Sequence, residues 1–163
     1  MNHIAVLLSF FILPIVGCVS VNLGAGKVEK ASDVQFQEPK PPFQKIDNPT
    51  VDLSWQNIKN GNTIAFLSEC NAKAEISIQT METESLAALS NLKILKSEMK
   101  EFNEREAKEI LAEGQVDGIA VKIQLMLFKK NSCNYTLSFV GRKKVFDKDT
   151  SEFQTFLIEF KAP

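Results

Sequence analysis

Ile119, Val121, Ile123, Leu125 and Leu127 alternate with Ala120, Lys122, Gln124 and Met126. A period of two over so long a run predicts a strand. Gly114-Gln115-Val116-Asp117-Gly118 before it and Lys129-Lys130-Asn131-Ser132 after it read as turns. Alternation resumes at Tyr135, Leu137 and Phe139. Nearer the amino end, Leu53-Ser54-Trp55 and the apolar run from Thr63 to Leu67 flank Asn60-Gly61-Asn62, which predicts a hairpin. Phe153, Phe156, Leu157 and Phe160 instead follow a helical period, with Asp149 as a cap and Glu152 three residues later. Thr83 reads as the cap of an earlier helix carrying Leu86, Leu89 and Leu92. Ser97 to Ala112 fits two periods. Met99, Phe102, Ala107 and Ile110 approximate helical spacing, while Ala107, Glu109 and Leu111 fall on one side of a strand. An antiparallel meander with the last helix laid across it predicts an α+β domain.

The amino end has a different pattern. Ile4 to Val16 is apolar apart from Ser9 and Pro14. As a helix it spans about 20 Å, short of the roughly 30 Å hydrocarbon core and suited to a secretory leader. Ile15-Val16-Gly17-Cys18 follows and resembles the lipobox of bacterial lipoproteins, although Met1-Asn2-His3 carries no Lys or Arg. The resemblance implies a signal peptide over residues 1–17, cleavage before Cys18, and acyl chains such as palmitate on Cys18. Several chains together hold a protein stably on a membrane. Val19 in place of Asp implies the outer membrane, with the protein facing the periplasm. Residues 18–50 hold most of the prolines and read as a tether, extended at Glu38-Pro39-Lys40-Pro41-Pro42, with Val28 to Phe36 able to dock locally. Residues 51–163 read as the single folded domain.

Composition narrows the chemistry. The only histidine, His3, lies in the leader. Removing it leaves no imidazole for a Ser-His or Cys-His pair, a metal site or a general base. No catalytic residue, metal site or cofactor is read: Gly24-Ala25-Gly26-Lys27 lacks phosphate-loop spacing, and no Cys-x-x-Cys occurs. A net charge of -1 gives no general attraction to nucleic acid. Cys70 and Cys133 remain after lipidation; in an oxidising envelope they are a disulfide candidate, the alternative being two separate thiols. Lys122, Lys129, Lys130, Arg142, Lys143, Lys144 and Lys148 crowd the stretch from Ile119 to Lys148 against Asp147 alone, while Glu98 to Glu113 is acidic. Lys129, Lys130, Arg142, Lys143 and Lys144 are therefore candidates for binding an acidic partner. Trp55 and Tyr135 are candidates for lining a ligand groove.

The order of elements resembles the PsbP/Mog1-like fold found in small bacterial lipoproteins. A leader is followed by a hairpin and a helix. Next comes a meander carrying Glu113-Gly114-Gln115-Val116-Asp117-Gly118, Lys129-Lys130 and Tyr135-Thr136-Leu137, and the helix Phe153-x-x-Phe156-x-x-x-Phe160 closes the chain. The resemblance runs from Val51 to Lys161 and implies strands for Ser97 to Ala112. It also implies a mostly non-enzymatic group of assembly factors, small-GTPase partners and envelope proteins. The expected function is that of an envelope lipoprotein acting as a non-catalytic protein-binding or assembly module, attached to the membrane through Cys18. Binding of a small ligand or lipid is the alternative, and nothing in the chain points to a hydrolase.

Overall fold

The computed structural model describes residues 29–71 and 76–163. Strands β1 (Phe43–Ile46), β2 (Leu53–Asn57) and β3 (Thr63–Cys70) precede helix α1 (Ile78–Leu86). Strands β4 (Ser90–Phe102), β5 (Arg105–Val116), β6 (Ile119–Lys130) and β7 (Cys133–Arg142) follow, and helix α2 (Thr150–Glu159) comes last. All seven strands form one antiparallel sheet in the order β1-β2-β3-β7-β6-β5-β4.

The meander from β4 to β7 turns three times on two residues. Both residues have positive φ each time: 53° and 61° at Asn103-Glu104, 50° and 78° at Asp117-Gly118, 50° and 60° at Asn131-Ser132. This conformation twists in the sense of the flanking strands and joins them directly. Ser97 to Ala112 therefore forms two strands around Asn103-Glu104, as the resemblance implied.

Alternating residues of the long strands feed two cores. On one face Ile64, Phe66, Met126, Phe128, Tyr135, Leu137 and Phe139 pack with Trp55 against Phe153, Phe156, Leu157 and Phe160 at α2. Burying each large apolar side chain here stabilises the fold by about 1.5–3 kcal/mol. On the other face Ile110, Ala112, Ile123, Leu125 and Leu127 meet Met81 and Leu86 of α1. The two helices thus cover opposite faces of the sheet.

The start of α1 differs from the sequence reading, and that of α2 agrees in position but not in its capping bond. Ser77, not Thr83, caps α1: its Oγ accepts the Thr80 N–H at 3.0 Å. Thr83 lies inside the helix, where its hydroxyl donates to the Gln79 carbonyl, and Leu89 and Leu92 fall beyond the helix end. Asp149 occupies the N-cap position of α2 but makes no capping bond with its side chain. Its carboxylate accepts instead from the side-chain amides of Asn57 (3.0 Å), Asn60 (2.7 Å) and Asn62 (2.7 Å). Glu152 accepts the backbone N–H of Lys40 at 2.7 Å.

The packed structure also takes in residues before Val51, where the sequence predicts a tether with local docking only at Val28 to Phe36. β1 pairs with β2 from Phe43↔Asn57 to Ile46↔Ser54. Glu29 bridges to Cys70, and Gln35 to Lys161. The Phe36 ring sits 5.4 Å from Phe66 and 5.6 Å from Trp55. The physical reason lies in Phe43, buried in the main core, and in Ala31, Val34 and Phe36, which pack against it. Lys30 adds an ion pair to Asp52 at 3.3 Å. The leader and Cys18 lie outside the described residues.

Candidate functional site

The candidate binding residues do not converge. Lys129 and Lys130 stand at the start of the β6–β7 turn, and Arg142, Lys143 and Lys144 lie at the far end of β7. Ten residues of strand separate them by about 30 Å. Lys130 donates to the Ala162 carbonyl at 3.1 Å, and Lys143 pairs with Glu113 at 2.7 Å. Glu113 of the acidic stretch thus offsets Lys143 of the basic one, and β7 keeps the two basic groups at opposite ends of the sheet. Trp55 and Tyr135 line no groove. Both are buried in the main core, the indole among Phe36 and Phe156, and the phenol stacked on Phe128 at 4.7 Å. Burial, with the nearby Asp52 charge, pushes the Tyr135 hydroxyl pKa up. Their area stabilises the domain.

A polar layer covers the α2-side face of the outer strands. Glu109, buried on β5, is held by Lys96 at 3.0 Å, Lys100 at 3.3 Å and Gln124 at 2.8 Å. Burial alone would raise its pKa, but the hydrogen bonds from Lys96 and Gln124 and the Lys100 charge prevail and hold it below the ordinary value. Lys96 is pushed up in turn by its bonds to Glu98 and Glu109. A depressed carboxylate stabilises the fold fully above its unfolded pKa and loses that contribution as pH falls through the folded value. The wild-type unfolding midpoint is therefore expected to drop more steeply below pH 4.5 than that of Glu109→Gln. Denaturant titrations across that range check this, and parallel curves would contradict it.

Of the open clefts on the described surface, two lie beside a helix. One, of about 400 Å³, lies between the β4–β5 hairpin and the end of α2, with Phe102, Met126, Leu157 and Phe160 within it and Lys100, Lys130 and Lys161 around it. The other, of about 390 Å³, runs between α1 and β4. Leu86, Ala87, Leu89, Leu92 and Ile94 line it, with Gln79, Glu82 and Thr83 on the helix side. Leu92 and Ile94 are 44% and 41% exposed there. Among the described residues, no group of three or more His, Cys, Asp and Glu side chains is placed to hold a metal ion. None of the described helices is long and apolar enough to cross a membrane.

No protein-family model and no curated protein matches the chain. Solved structures do match its fold. Cyanobacterial PsbP (CyanoP) from Synechocystis superposes with a TM-score of 0.58 at 12% identity, over 92% of this chain and 99% of that one. LpqN of Mycobacterium tuberculosis, described as involved in cell envelope biogenesis, gives 0.53 at 8% identity, over 83% and 82%. The fold is PsbP-like. As the residues in common are so few, the likeness shows the fold alone.

The α1–β4 groove of this PsbP-like domain escaped the sequence reading. The sequence pattern puts Leu92 on the helix and assigns Ile94 to no element. Their signal is that both are apolar in a strand whose residues are exposed except for Phe102. An outer strand with a polar neighbourhood would ordinarily carry polar side chains on its open positions.

Proposed function

We propose that the chain is a lipid-anchored, non-catalytic protein-binding module of the bacterial cell envelope, held at the outer membrane through Cys18 and facing the periplasm. The carrying observation is the open apolar groove between α1 and β4. Contiguous exposed apolar side chains mark surfaces that other proteins cover. Val116 and Ile119, exposed at the neighbouring β5–β6 turn, extend the apolar surface at that end of the sheet. The description of LpqN supports the envelope reading. The Ile15-Val16-Gly17-Cys18 sequence supports the anchor.

Replacing Ile94 by Asp puts a charge into the groove and is expected to weaken capture of the envelope partner by about tenfold or more, roughly 1.4 kcal/mol. Ile158→Asp, at the other cleft, should leave it unchanged. The check is quantitative pull-down from detergent-solubilised envelopes with both variants folded to the same melting temperature. Equal capture by wild type and Ile94→Asp would contradict the reading, and recovery of the chain in the soluble fraction without an acyl group would remove the anchor.

The second reading, small-ligand or lipid binding, is favoured by the apolar lining and three lysines of the cleft beside α2. Lipid that co-purifies with wild type and is lost in Ile158→Asp would support it.

A further inference from the structure

The sheet ends at β4 on one side and at β1 on the other. β1 has four residues, whereas β4 has 13, exposed except for Phe102. The two halves of β4 differ. Register against β5 shifts between Ser90 and Lys93 and again between Ile94 and Lys96. From Lys96↔Leu111 to Phe102↔Arg105 the pairing is regular, residue for residue. The outer side of this straight half pairs with no strand among the described residues. A regular open edge is a template for another strand.

We propose that this edge takes β4 of a second copy of the chain, antiparallel, about a twofold axis at Met99. The argument is charge complementarity. Side chains opposite each other must share a face of the sheet. With the axis at Met99, Glu98 lies opposite the partner's Lys100, and Lys100 opposite the partner's Glu98. Ser97 lies opposite the partner's Glu101, and Lys96 opposite the partner's Phe102. Met99, 48% exposed in the single chain, meets its own copy on the α1 side of the sheet. Other registers fail. An axis at Glu98 sets Glu98 against the partner's Glu98 and Lys96 against the partner's Lys100. An axis at Lys100 sets that lysine against its own copy. An axis at Ser97 or Lys96 carries the pairing into the irregular half. Like charges directly opposite are unfavourable, so the edge selects one register. A twofold contact of this kind is self-complementary and closed, so it yields a dimer with one continuous sheet and no further growth at β4.

This interface is distinct from the groove, which uses Leu92 and Ile94 in the irregular half. The test uses the full chain in excess detergent micelles. Met99→Cys is expected to give a covalent dimer with a short bifunctional thiol reagent, and Glu101→Cys is not, because its two copies lie four steps apart, about 13 Å along the strand. The unsubstituted chain run beside them reports any linkage through Cys18. Sedimentation should show the dimer weakened about tenfold or more by Glu98→Lys and by Lys100→Glu, and restored in the variant carrying both exchanges, which reinstates opposite charges in the same register. A monomer at every concentration would overturn the proposal. So would equal linkage at positions 99 and 101, or a charge exchange without rescue.

Discussion

Replacing Cys70 and Cys133 together by Ala is expected to lower unfolding stability by about 4 kcal/mol, the chain-entropy value for a loop of this length. The two cysteines lie 63 residues apart and are bonded to each other, with Cα atoms 4.0 Å apart. They are direct partners at the end of β3 and the start of β7. Between them the chain runs through α1 and most of the meander. The bond therefore removes much of the freedom of the unfolded chain while leaving native β3–β7 pairing almost unaltered. Both sulfurs are buried, so the double variant also loses apolar contact. Urea titrations of wild type and variant give the difference directly. A loss below about 1 kcal/mol would mean that the unfolded state keeps the two segments together without the bond. Alkylation of the unfolded, unreduced protein should leave positions 70 and 133 unlabelled.

Asp149→Ala is expected to cost about 3 kcal/mol, because hydrogen bonds to a charged group contribute more than neutral ones and their loss strands buried donors. Three asparagine amides from one short stretch end on this carboxylate. Asn57 and Asn62 are buried, so neither can turn to water when the acceptor goes. The Asn62 amide also reaches the Val145 carbonyl at 3.0 Å, so the β2–β3 turn grips the chain just before α2. Gly141 makes room for this arrangement: a Cβ there would lie 1.9 Å from Asn62 Oδ1. Asp149→Asn keeps one acceptor oxygen and the shape, and should lose about half as much. Thermal or urea unfolding checks both variants. An Asp149→Ala midpoint equal to wild type would contradict the clamp and return Asp149 to an ordinary helix start.

Much of the fold was legible because period-two patterning, turn residues and an apolar helix stripe agreed. Ile119 to Leu127, Tyr135 to Phe139 and Phe153 to Phe160 are examples. What failed did so where tertiary contacts outrank local signals. Asp149 fits a capping pattern, but three distant amides make a stronger set of donors than the helix end. Periodicity alone left Ser97 to Ala112 open and the resemblance implied strands; Asn103 and Glu104 turn the chain back there, and β6 offers β5 a long partner. Glu104 gave no turn signal, since glutamate seldom takes positive φ. Docking around Phe36 was expected, but Phe43 was not, because the surrounding prolines and charges suggest a spacer.

The candidate site was legible in a narrower sense. The disulfide pair followed from compartment and count. The charge asymmetry did not translate into a patch, because β7 holds the two basic groups at opposite ends and folding brings Lys143 to Glu113 and Lys130 to Glu104. A linear count of charges cannot foresee that cancellation. Trp55 and Tyr135 joined the core because a domain of this size needs its largest apolar areas inside. The groove depends on where α1 ends and β4 begins, and a helix boundary read six residues too late concealed it.

The central claim is that the envelope partner is held in the groove between α1 and β4. The most direct measurement is site-specific photocrosslinking in intact cells, with a photoreactive residue at Ile94 in one strain and at Ile158 in another. The account predicts one discrete adduct of constant mass from position 94, abolished by adding Leu92→Asp, and none from position 158. A discrete protein adduct from position 158 with none from position 94 would contradict it.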